Sequence, residues 1–511
     1  MISVSDAWKD IQQRFLLPET FVEIDCTITD AVVQENATIV GENEAIFSNT
    51  ISTLYDTTKT VKYATNELNL WALDGSLVIA PDFAPYADMG YASDTDASGK
   101  VTVTLAETQN TATSGVTITW SSRYDEYPSD FTITAKNGNT VVLEKEVTGN
   151  TSQVTAIFEQ LQNYDSLTIT VHNWSLPYRR VRIEKVVMGY VMTFTKKDIF
   201  NFTHEQTGHL NSGELPKNSI DFTLDNTDGK WNPSNPTGLE QYLSERQKIR
   251  VRYGMDVDGE IEWINAGTFY LSEWRVPSNG LEASFVARDI FEYLLNETYS
   301  GGTAETSLYQ LVKNAFTVAG VPDDFRYEIS PELNYYSAAV PSGEYTCAEI
   351  IQMCANAARC VIYQDREGVL HIEPLNSALG EFTITEALSY SNPEVELSKP
   401  LKNVSVLYGD SSTYTILPPL GQTGEIQTVT NPLVKNASQA SGIAQWVANT
   451  LKTRKMVSGE YRADPRLDVF DVVTVESSKY GTLSPVAITN IKYSYSGSFK
   501  ATYTGRVLGG N

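Results

Sequence analysis

Cysteine and histidine are both scarce in this chain, with four of each among 511 residues. Three cysteines, Cys347, Cys354 and Cys360, lie close together in a segment whose pattern predicts a helix followed by a strand. Cys26 stands alone in a predicted strand. No C-x-x-C motif occurs, and no histidine stands at ligand spacing from these cysteines. The sequence therefore predicts buried free thiols, and it argues against a disulfide framework or a cysteine-bound metal.

Long apolar runs are also missing. No stretch of about 18 apolar residues occurs, so the sequence predicts no transmembrane helix and no membrane anchor. The first residues, MISVSDAWKDIQQRFLL, lack the basic start and apolar core of a secretory signal. We therefore expect synthesis in a cytoplasm, where the chain stays until it is assembled or released. A chain of this length predicts roughly three or four domains, and its many Tyr, Phe, Thr and Val residues favour β-structure.

Basic residues are few, since 38 Lys and Arg stand against 63 Asp and Glu and give a net charge of −25. Residues 1–100 alone hold 16 acidic and 5 basic residues. Such a surface repels a phosphate backbone and argues against stable nucleic-acid binding. Two explanations stay open, namely plain solubility and a surface that must not retain nucleic acid.

Motifs that would indicate catalysis or metal binding fail on their spacing. In HEQTGH, His204 and His209 are one position too far apart for a helical zinc motif, and would diverge by about 140°. We predict ordinary surface histidines on a strand or loop. DVDGEIEW resembles a calcium loop, but aligning Gly259 puts Gly254 and Asn265 at positions that need acids. The sequence therefore predicts no catalytic residue, no metal and no cofactor.

Residues 30–191 have the texture of an all-β domain. Short strands such as KVTVTL, DFTITA and SLTITVHNW are separated by turn residues every ~8–12 positions. This spacing predicts an antiparallel β-sandwich. The segments WALDGS, YPSDFTITAKNG and YRRVRIEKVVMG resemble jelly-roll domains of the galactose-binding type. That resemblance implies a carbohydrate-binding fold.

Aromatic and arginine side chains of this segment are the candidate sugar contacts, because such groups stack on sugar rings and donate paired hydrogen bonds. They are Trp71, Arg123, Tyr124, Tyr127, Trp174, Tyr178 and Arg179. Trp120 and Trp174 end alternating strands, so packing in the core is the alternative role for them. Arg179 and Arg180 begin a strand, where one of them could face a carboxylate within the fold.

The most specific stretch of the chain lies between residues 219 and 289. An alternating strand (SIDFTL) ends at Asp225, and a segment rich in turn residues follows, with Asp228-Gly229 and two Asn-Pro pairs. A basic strand from Lys248 to Tyr253 leads to a hairpin turn at Asp258-Gly259. Gly229 and Gly259 are both expected at positive φ.

Two further regions complete the chain. SLYQLVKNAFTVAGV predicts an amphipathic helix. TCAEIIQMCANAARCVIYQDREGVLHIEP predicts a helix followed by a hairpin that turns at Glu367-Gly368. The last region places the helix ASQASGIAQWVANTLKTRK before YRADPRLDVFDVVTVESSKYG and LSPVAITNIKYSYSGSFKATYTGR. Its order of strands and its Ser-Gly turn parallel residues 243–289, which suggests an internal duplication.

The segments DFTLDNTDG, NPSNPTG and IRVRYG resemble the pattern F-x-L-D-N-x-D-G, N-P-x-N-P-x-G and V-R-V-R of a β-barrel in phage tail hub proteins. The resemblance covers residues 191–511 best. It implies a mainly β, multidomain chain with two similar barrels. The expected domains are 1–29 (N-terminal helix and first strand of barrel 1), 30–191 (inserted jelly-roll sandwich), 192–300 (barrel 1), 301–390 (α+β domain) and 391–511 (barrel 2 with its preceding helix).

The function that this resemblance implies is structural and not enzymatic. The chain would be the hub of a tail tip or baseplate, closing the end of the tail tube and forming a channel for DNA in transit. Two barrels in each of three chains match a sixfold tube, so the first partner would be the chain itself, as a homotrimer. The other expected partners are the distal tail ring, the tape measure, and a tail spike or receptor-binding protein. The expected location is the virion tail, after synthesis in the host cytoplasm.

Two alternatives stay open. The first is a particle-borne adhesin, in which the sandwich binds a glycan of the host surface. The second is a carbohydrate-active enzyme, because an acid-rich β protein offers many carboxylate pairs. The sequence stops at Asn511, directly after the predicted second barrel. Any peptidase or receptor-binding activity is therefore expected on another protein.

Overall fold

The computed structural model describes residues 2–12, 14, 18–29, 37–45, 48, 50–54, 90–96, 99–109, 115–121, 126–157, 161–235, 239, 243, 245–277, 280–301, 304–322, 325–340, 344–409, 411–417, 419–462 and 464–509. The chain forms two compact units. The main unit consists of Met1–Asp25 and Thr193–Asn511, and the 26–192 unit consists of Cys26–Met192. Both are built mainly of strands, which confirms the predicted mainly β, multidomain fold class.

The described chain up to residue 194 contains one α-helix, a 3₁₀ turn at Thr50–Thr53 and eleven strands. The elements are α1 (Asp6–Gln12), β1 (Thr20–Thr29), β2 (Ala37–Glu42), β3 (Tyr91–Asp96), β4 (Gly99–Gln109), β5 (Val116–Thr119), β6 (Pro128–Asn137), β7 (Thr140–Val147), β8 (Val154–Ile157), β9 (Tyr164–Trp174), β10 (Arg180–Ile183) and β11 (Lys185–Phe194).

The 26–192 unit is built around two groups of strands that share one apolar core. Five antiparallel strands follow the order β2-β4-β9-β6-β7, and β5 pairs with β11 and β8 in a second group. Alternation along the first sheet turns Val103, Ile133 and Ile169 inward. They meet Ile118 and Met188 of the second group in the same core. Thr and Val alternate in these strands because one face of each sheet is buried and the other is solvated.

The described chain from residue 199 onward contains four α-helices, a 3₁₀ turn at Pro331–Tyr335 and nineteen strands. The elements are β12 (Ile199–Thr207), β13 (Lys217–Asp225), β14 (Lys248–Val257), β15 (Glu260–Arg275), β16 (Glu282–Arg288), α2 (Phe291–Leu294), β17 (Thr306–Ser307), α3 (Leu308–Val318), β18 (Tyr327–Ile329), β19 (Ser337–Ala338), α4 (Cys347–Ala357), β20 (Val361–Gln364), β21 (Leu370–Glu373), β22 (Thr383–Ile384), β23 (Glu394–Leu397), β24 (Leu401–Tyr408), β25 (Ser412–Thr415), β26 (Glu425–Asn431), α5 (Ala437–Leu451), β27 (Lys455–Tyr461), β28 (Val472–Val475), β29 (Leu483–Tyr495) and β30 (Phe499–Val507).

One long sheet runs through the main unit. Its strand order is β1-β14-β15-β16-β13-β12-β29-β30-β27-β23, and β28 pairs with β29 beside this path. The central strand β12 places Phe202 opposite Phe222 of β13 on one side and Tyr495 of β29 on the other. Strands of the two predicted barrels therefore belong to one sheet. Among the described residues, no strand pairing closes either half into a barrel.

A second core of the main unit is formed by helices and short sheets. Helices α3, α4 and α5 pack with β20, β21, β24 and β26 around it. Its fully buried members include Leu308, Leu311, Ile351, Leu370, Val404, Val406, Ile443 and Val447. This core draws on residues 401–451 as well as on residues 301–390. No helix within the described residues is long and apolar enough to cross a membrane.

Several local predictions are confirmed. Asp258-Gly259 forms the two-residue turn between β14 and β15, with φ of +54° and +98°, and Gly229 has φ +70°. All four cysteines are buried, and Cys347, Cys354 and Cys360 are free thiols. Burial raises the pKa of Cys347 to about 11, and Glu297 adds to this effect. The predicted strand from Lys248 is longer than expected, because it continues to Val257 as one arm of the hairpin.

Candidate functional site

The prediction of surface histidines is wrong for His204, which is fully buried in the main unit. Its Nε2 lies 2.8 Å from Oδ1 of Asn218, and its Nδ1 lies 2.7 Å from the hydroxyl of Tyr253. These partners place the proton on Nε2, so that Nδ1 accepts from the tyrosine. His204 points inward because β12 alternates, and Phe202 and Gln206 share its buried face.

A buried ion pair lies beside this histidine. The side chain of Arg366 is 1% exposed, and its Nε donates to Oδ1 of Asp468 over 2.8 Å. Its Nη2 donates to the carbonyl oxygen of Leu467 over 2.9 Å, and its Nη1 donates to that of Pro465. Burial alone would lower the pKa of Arg366, but Asp468 and the neighbouring tyrosines raise it overall. The guanidinium is therefore charged, and its charge is compensated within the fold.

The surroundings keep His204 neutral. Burial is the largest cause, and the positive charge of Arg366 adds to it, so the pKa of His204 falls to about 4. Aromatic rings of Phe269 and Tyr493 stand 5.3 and 6.2 Å from its imidazole, measured between ring centroids. A neutral imidazole that is enclosed and bonded at both nitrogens can hold strands together. No local sequence pattern indicates this cluster, because its members come from distant segments.

The structure describes four of the seven candidate sugar contacts. Trp71, Arg123 and Tyr124 lie outside the described residues. Trp174 is 7% exposed, and its ring meets that of Trp120 edge-on at 6.3 Å, which confirms that both pack in the core. Tyr127 is partly buried against the same core.

Glu126 brings two of the candidates together. Its carboxylate accepts a hydrogen bond from Nε1 of Trp174 over 2.8 Å and lies 3.3 Å from Nε of Arg179. The prediction that an arginine here faces a carboxylate is confirmed. Tyr178 precedes this arginine, is 89% exposed and has φ +60°. Positive φ is unusual for a tyrosine. Sequence reasoning missed Glu126, because no local pattern marks it.

Within the described ranges, no group of three or more His, Cys, Asp or Glu side chains is arranged to hold a metal ion. His209 is half-buried, and burial lowers its pKa although Glu214 stands 3.7 Å away.

No protein-family model matches this sequence, and no curated protein matches it. Solved structures that are similar to the chain include three tail proteins. The tail protein from Neisseria meningitidis MC58 is 12% identical, covers 62% of this chain and 93% of its own length, and has a TM-score of 0.44. The 43 kDa tail protein of prophage MuSo2 from Shewanella oneidensis is 12% identical, with 62% and 94% covered and a TM-score of 0.42. Prophage tail protein gp18 from Listeria monocytogenes EGD-e is 13% identical, with 62% and 91% covered and a TM-score of 0.41.

Proposed function

We propose that the chain is a structural hub of a phage tail tip or baseplate. The observation that carries the proposal is the pairing of β12 with β29, which joins the two strand groups of the main unit into one sheet. The buried pair of Arg366 and Asp468 supports a mechanical role, because it ties the β20–β21 turn to the segment before β28. A buried ion pair between segments that are far apart in the chain resists a force that would pull these segments apart.

The hub acts as a homotrimer in this proposal. Two barrel-like halves in each of three chains would match a sixfold tube and close the end of it. Its other partners would be the distal tail ring, the tape measure and a tail spike or receptor-binding protein. Quantitative mass spectrometry of purified particles tests this stoichiometry. Three copies for each tail are expected, and six copies would overturn the symmetry argument.

The 26–192 unit is an insertion in this scheme. Its flanking residues support that reading, because Oγ1 of Thr193 donates to Oδ1 of Asp25 over 2.6 Å. The main chain thus leaves and re-enters the main unit at neighbouring positions, as an inserted domain requires. We propose the domains 1–29, 30–191, 192–300, 301–390 and 391–511, with a jelly-roll in the second of them.

The acidic excess would line the channel through which DNA passes. A negatively charged wall repels each phosphate of the DNA. A positively charged wall would attract the phosphates at short range and retain the DNA. Exchanging several channel-facing acids for lysine should leave assembly intact and slow DNA delivery, with the defect easing at high salt. If the lysine variants deliver DNA at the normal rate, the acidic excess serves only to keep the protein soluble.

A sugar-binding role of the 26–192 unit is the second candidate. The observation that favours it is the exposed ring of Tyr178, the residue directly before Arg179, which pairs with Glu126. Binding of the whole chain to a glycan array, lost in Tyr178→Ala, would support it. Tyr335→Ala is the matched control, because Tyr335 is 81% exposed in the main unit. Equal binding by both variants would exclude this site.

A further inference from the structure

Large apolar side chains are exposed in one region of the main unit, around the start of β24. They are Leu397, Leu417, Leu420 and Ile426, and Leu417 is 83% exposed. Ile426 pairs with Asn403 across β26 and β24, and the amide of Asn403 donates to the carbonyl oxygen of Ile416 over 3.0 Å. The backbone nitrogen of Gly421 donates to the carbonyl oxygen of Lys402 over 3.3 Å. Exposed apolar side chains that are grouped in this way indicate an interaction surface.

Exposed cations lie in the same region, namely Lys402, Lys452, Arg454 and Lys455. Nε of Arg454 donates to the carbonyl oxygen of Ser398 over 2.7 Å, and the backbone nitrogen of Ser398 donates to the carbonyl oxygen of Arg454 over 2.8 Å. Lys455 stands directly opposite Leu397 in the pairing of β27 with β23. Within the part of the chain that the structure describes, none of the four cations forms a salt bridge.

Neighbouring carboxylates leave these cations uncompensated. Glu425 is paired with Lys399, with Oε1 and Nζ 2.5 Å apart. Glu394 and Glu396 alternate with Leu397 along β23, so they point to the other face of the strand. The four cations and the four apolar residues together are called the basic patch below. Such a patch is notable in a chain whose net charge is −25.

The tip of the β14–β15 hairpin has the opposite charge. Residues 256–262 contain no Lys or Arg, and their acids are Asp256, Asp258, Glu260 and Glu262. Ile261 is 43% exposed between two of these acids. Asp256 accepts from the backbone nitrogen of Gly259, and Glu262 accepts from that of Ser5. No cation of the described ranges forms a salt bridge with any of the four acids. Residues 256–262 are called the acidic tip below.

We propose that the basic patch of one chain docks onto the acidic tip of a second copy of this chain. The contact rests on the homotrimer proposed above, and it names the two surfaces that meet in it. Opposite charges on the two surfaces favour their encounter, and the exposed leucines and isoleucines cover one another. Because the patch and the tip are different surfaces, each chain uses its patch on one neighbour and its tip on the other. Contacts of this kind close into rings, whereas a patch that met itself would place like charges together.

Sedimentation of the purified full-length chain over a range of concentrations tests this contact. Lys452→Gln with Lys455→Glu reverses the patch, and Asp258→Asn with Glu260→Lys reverses the tip. Asparagine is used at position 258 because it tolerates the φ of +54° found there. Each pair of substitutions should weaken association by about tenfold or more, since like charges then face each other. All four substitutions together should restore most of the affinity.

A matched control carries the same change of charge elsewhere. Glu144→Gln with Glu146→Lys alters two exposed acids of β7 in the 26–192 unit, and this variant should associate like the original chain. Unfolding midpoints confirm that each variant is folded. High salt should weaken the association of the original chain.

Three results would overturn the proposed contact. They are an original chain that stays monomeric at every concentration, normal association of either reversed variant, and failure of the combined variant to recover. Each of them leaves the hub function open, because the position of the chain on the particle is measured separately. Conversely, a chain that is absent from the tail tip but shows the rescue would refute the hub and retain the contact.

Discussion

The guanidinium of Arg366 lies 2.8 Å from the carboxylate of Asp468, measured from Nε to Oδ1, in the interior of the main unit. The two residues are 102 positions apart in the chain. Arg366 stands in the turn between β20 and β21, and Asp468 stands shortly before β28. Their contact therefore fixes the helix-containing part of the unit against its long sheet.

Removing one partner of this pair should be costly. Arg366→Leu leaves the carboxylate of Asp468 in a largely buried place without its cation. We expect the unfolding free energy of the main unit to fall by about 3–5 kcal/mol, as for other broken buried pairs. Chemical denaturation measures the change. Lys399→Leu is the control, because its pair with Glu425 is exposed and its loss should have no measurable effect. Equal effects of the two changes would contradict the role of the buried pair.

The stability of the main unit should fall at mildly acidic pH because of His204. Burial lowers its folded pKa to about 4, against 6.5 in an unfolded chain. The unfolded chain therefore binds the proton more readily between these values. The contribution is complete above about pH 6.5 and is lost as the pH falls towards 4, by roughly 3 kcal/mol in total.

A non-titrating side chain isolates this effect. His204→Gln can still donate and accept hydrogen bonds, and unfolding is measured for both proteins between pH 4 and 7. The variant should show a smaller loss of stability over this range than the original chain. If the unfolding free energies of the two proteins fall in parallel with pH, carboxylates and not His204 cause the whole loss of stability.

The hairpin turn at Gly259 should depend on its backbone geometry. Gly259 has φ +98°, and a Cβ there would meet open space, so strain and not contact decides the outcome. We expect Gly259→Val to lower the unfolding free energy by roughly 1–3 kcal/mol. Gly259→Asn should cost less, because asparagine tolerates positive φ. The same rank order is expected at Gly229, and equal midpoints for the two substitutions would refute the turn geometry.

The main unit should fold without the 26–192 unit. Joining Asp25 to Thr193 by a short Gly/Ser linker keeps the hydrogen bond between these two residues within reach. We expect a soluble variant whose main-unit unfolding transition is retained in calorimetry. If the variant is insoluble at every linker length tested, the main unit needs the strands of the 26–192 unit in order to fold.

Local chemistry explains what could be predicted from the sequence. The Asp258-Gly259 turn, the helix that ends before Gly320, and the hairpin at Glu367-Gly368 each depend on a few adjacent residues. Alternation of apolar residues likewise indicated the strands of the 26–192 unit. These signals are contained within single elements, so they need no knowledge of distant contacts.

Nonlocal pairing explains what could not be predicted. The inward face of β12 carries His204 and Gln206, so its alternation holds no apolar signal of burial at those positions. Their partners, including Tyr253 and Asp468, come from segments far away in the chain. The pairing of β12 with β29 likewise depends on residues almost 300 positions apart, and no single segment encodes it.

We propose that this chain is the structural hub at the end of a tail tube. Electron microscopy of purified particles, labelled with a gold-conjugated antibody against the chain, tests this location. The control is the same antibody after it has been incubated with an excess of the purified chain. For a structural hub, we expect label at one end of the tail, on its axis. Label along the tail, on the capsid, or absent from particles that contain the other tail proteins would contradict it.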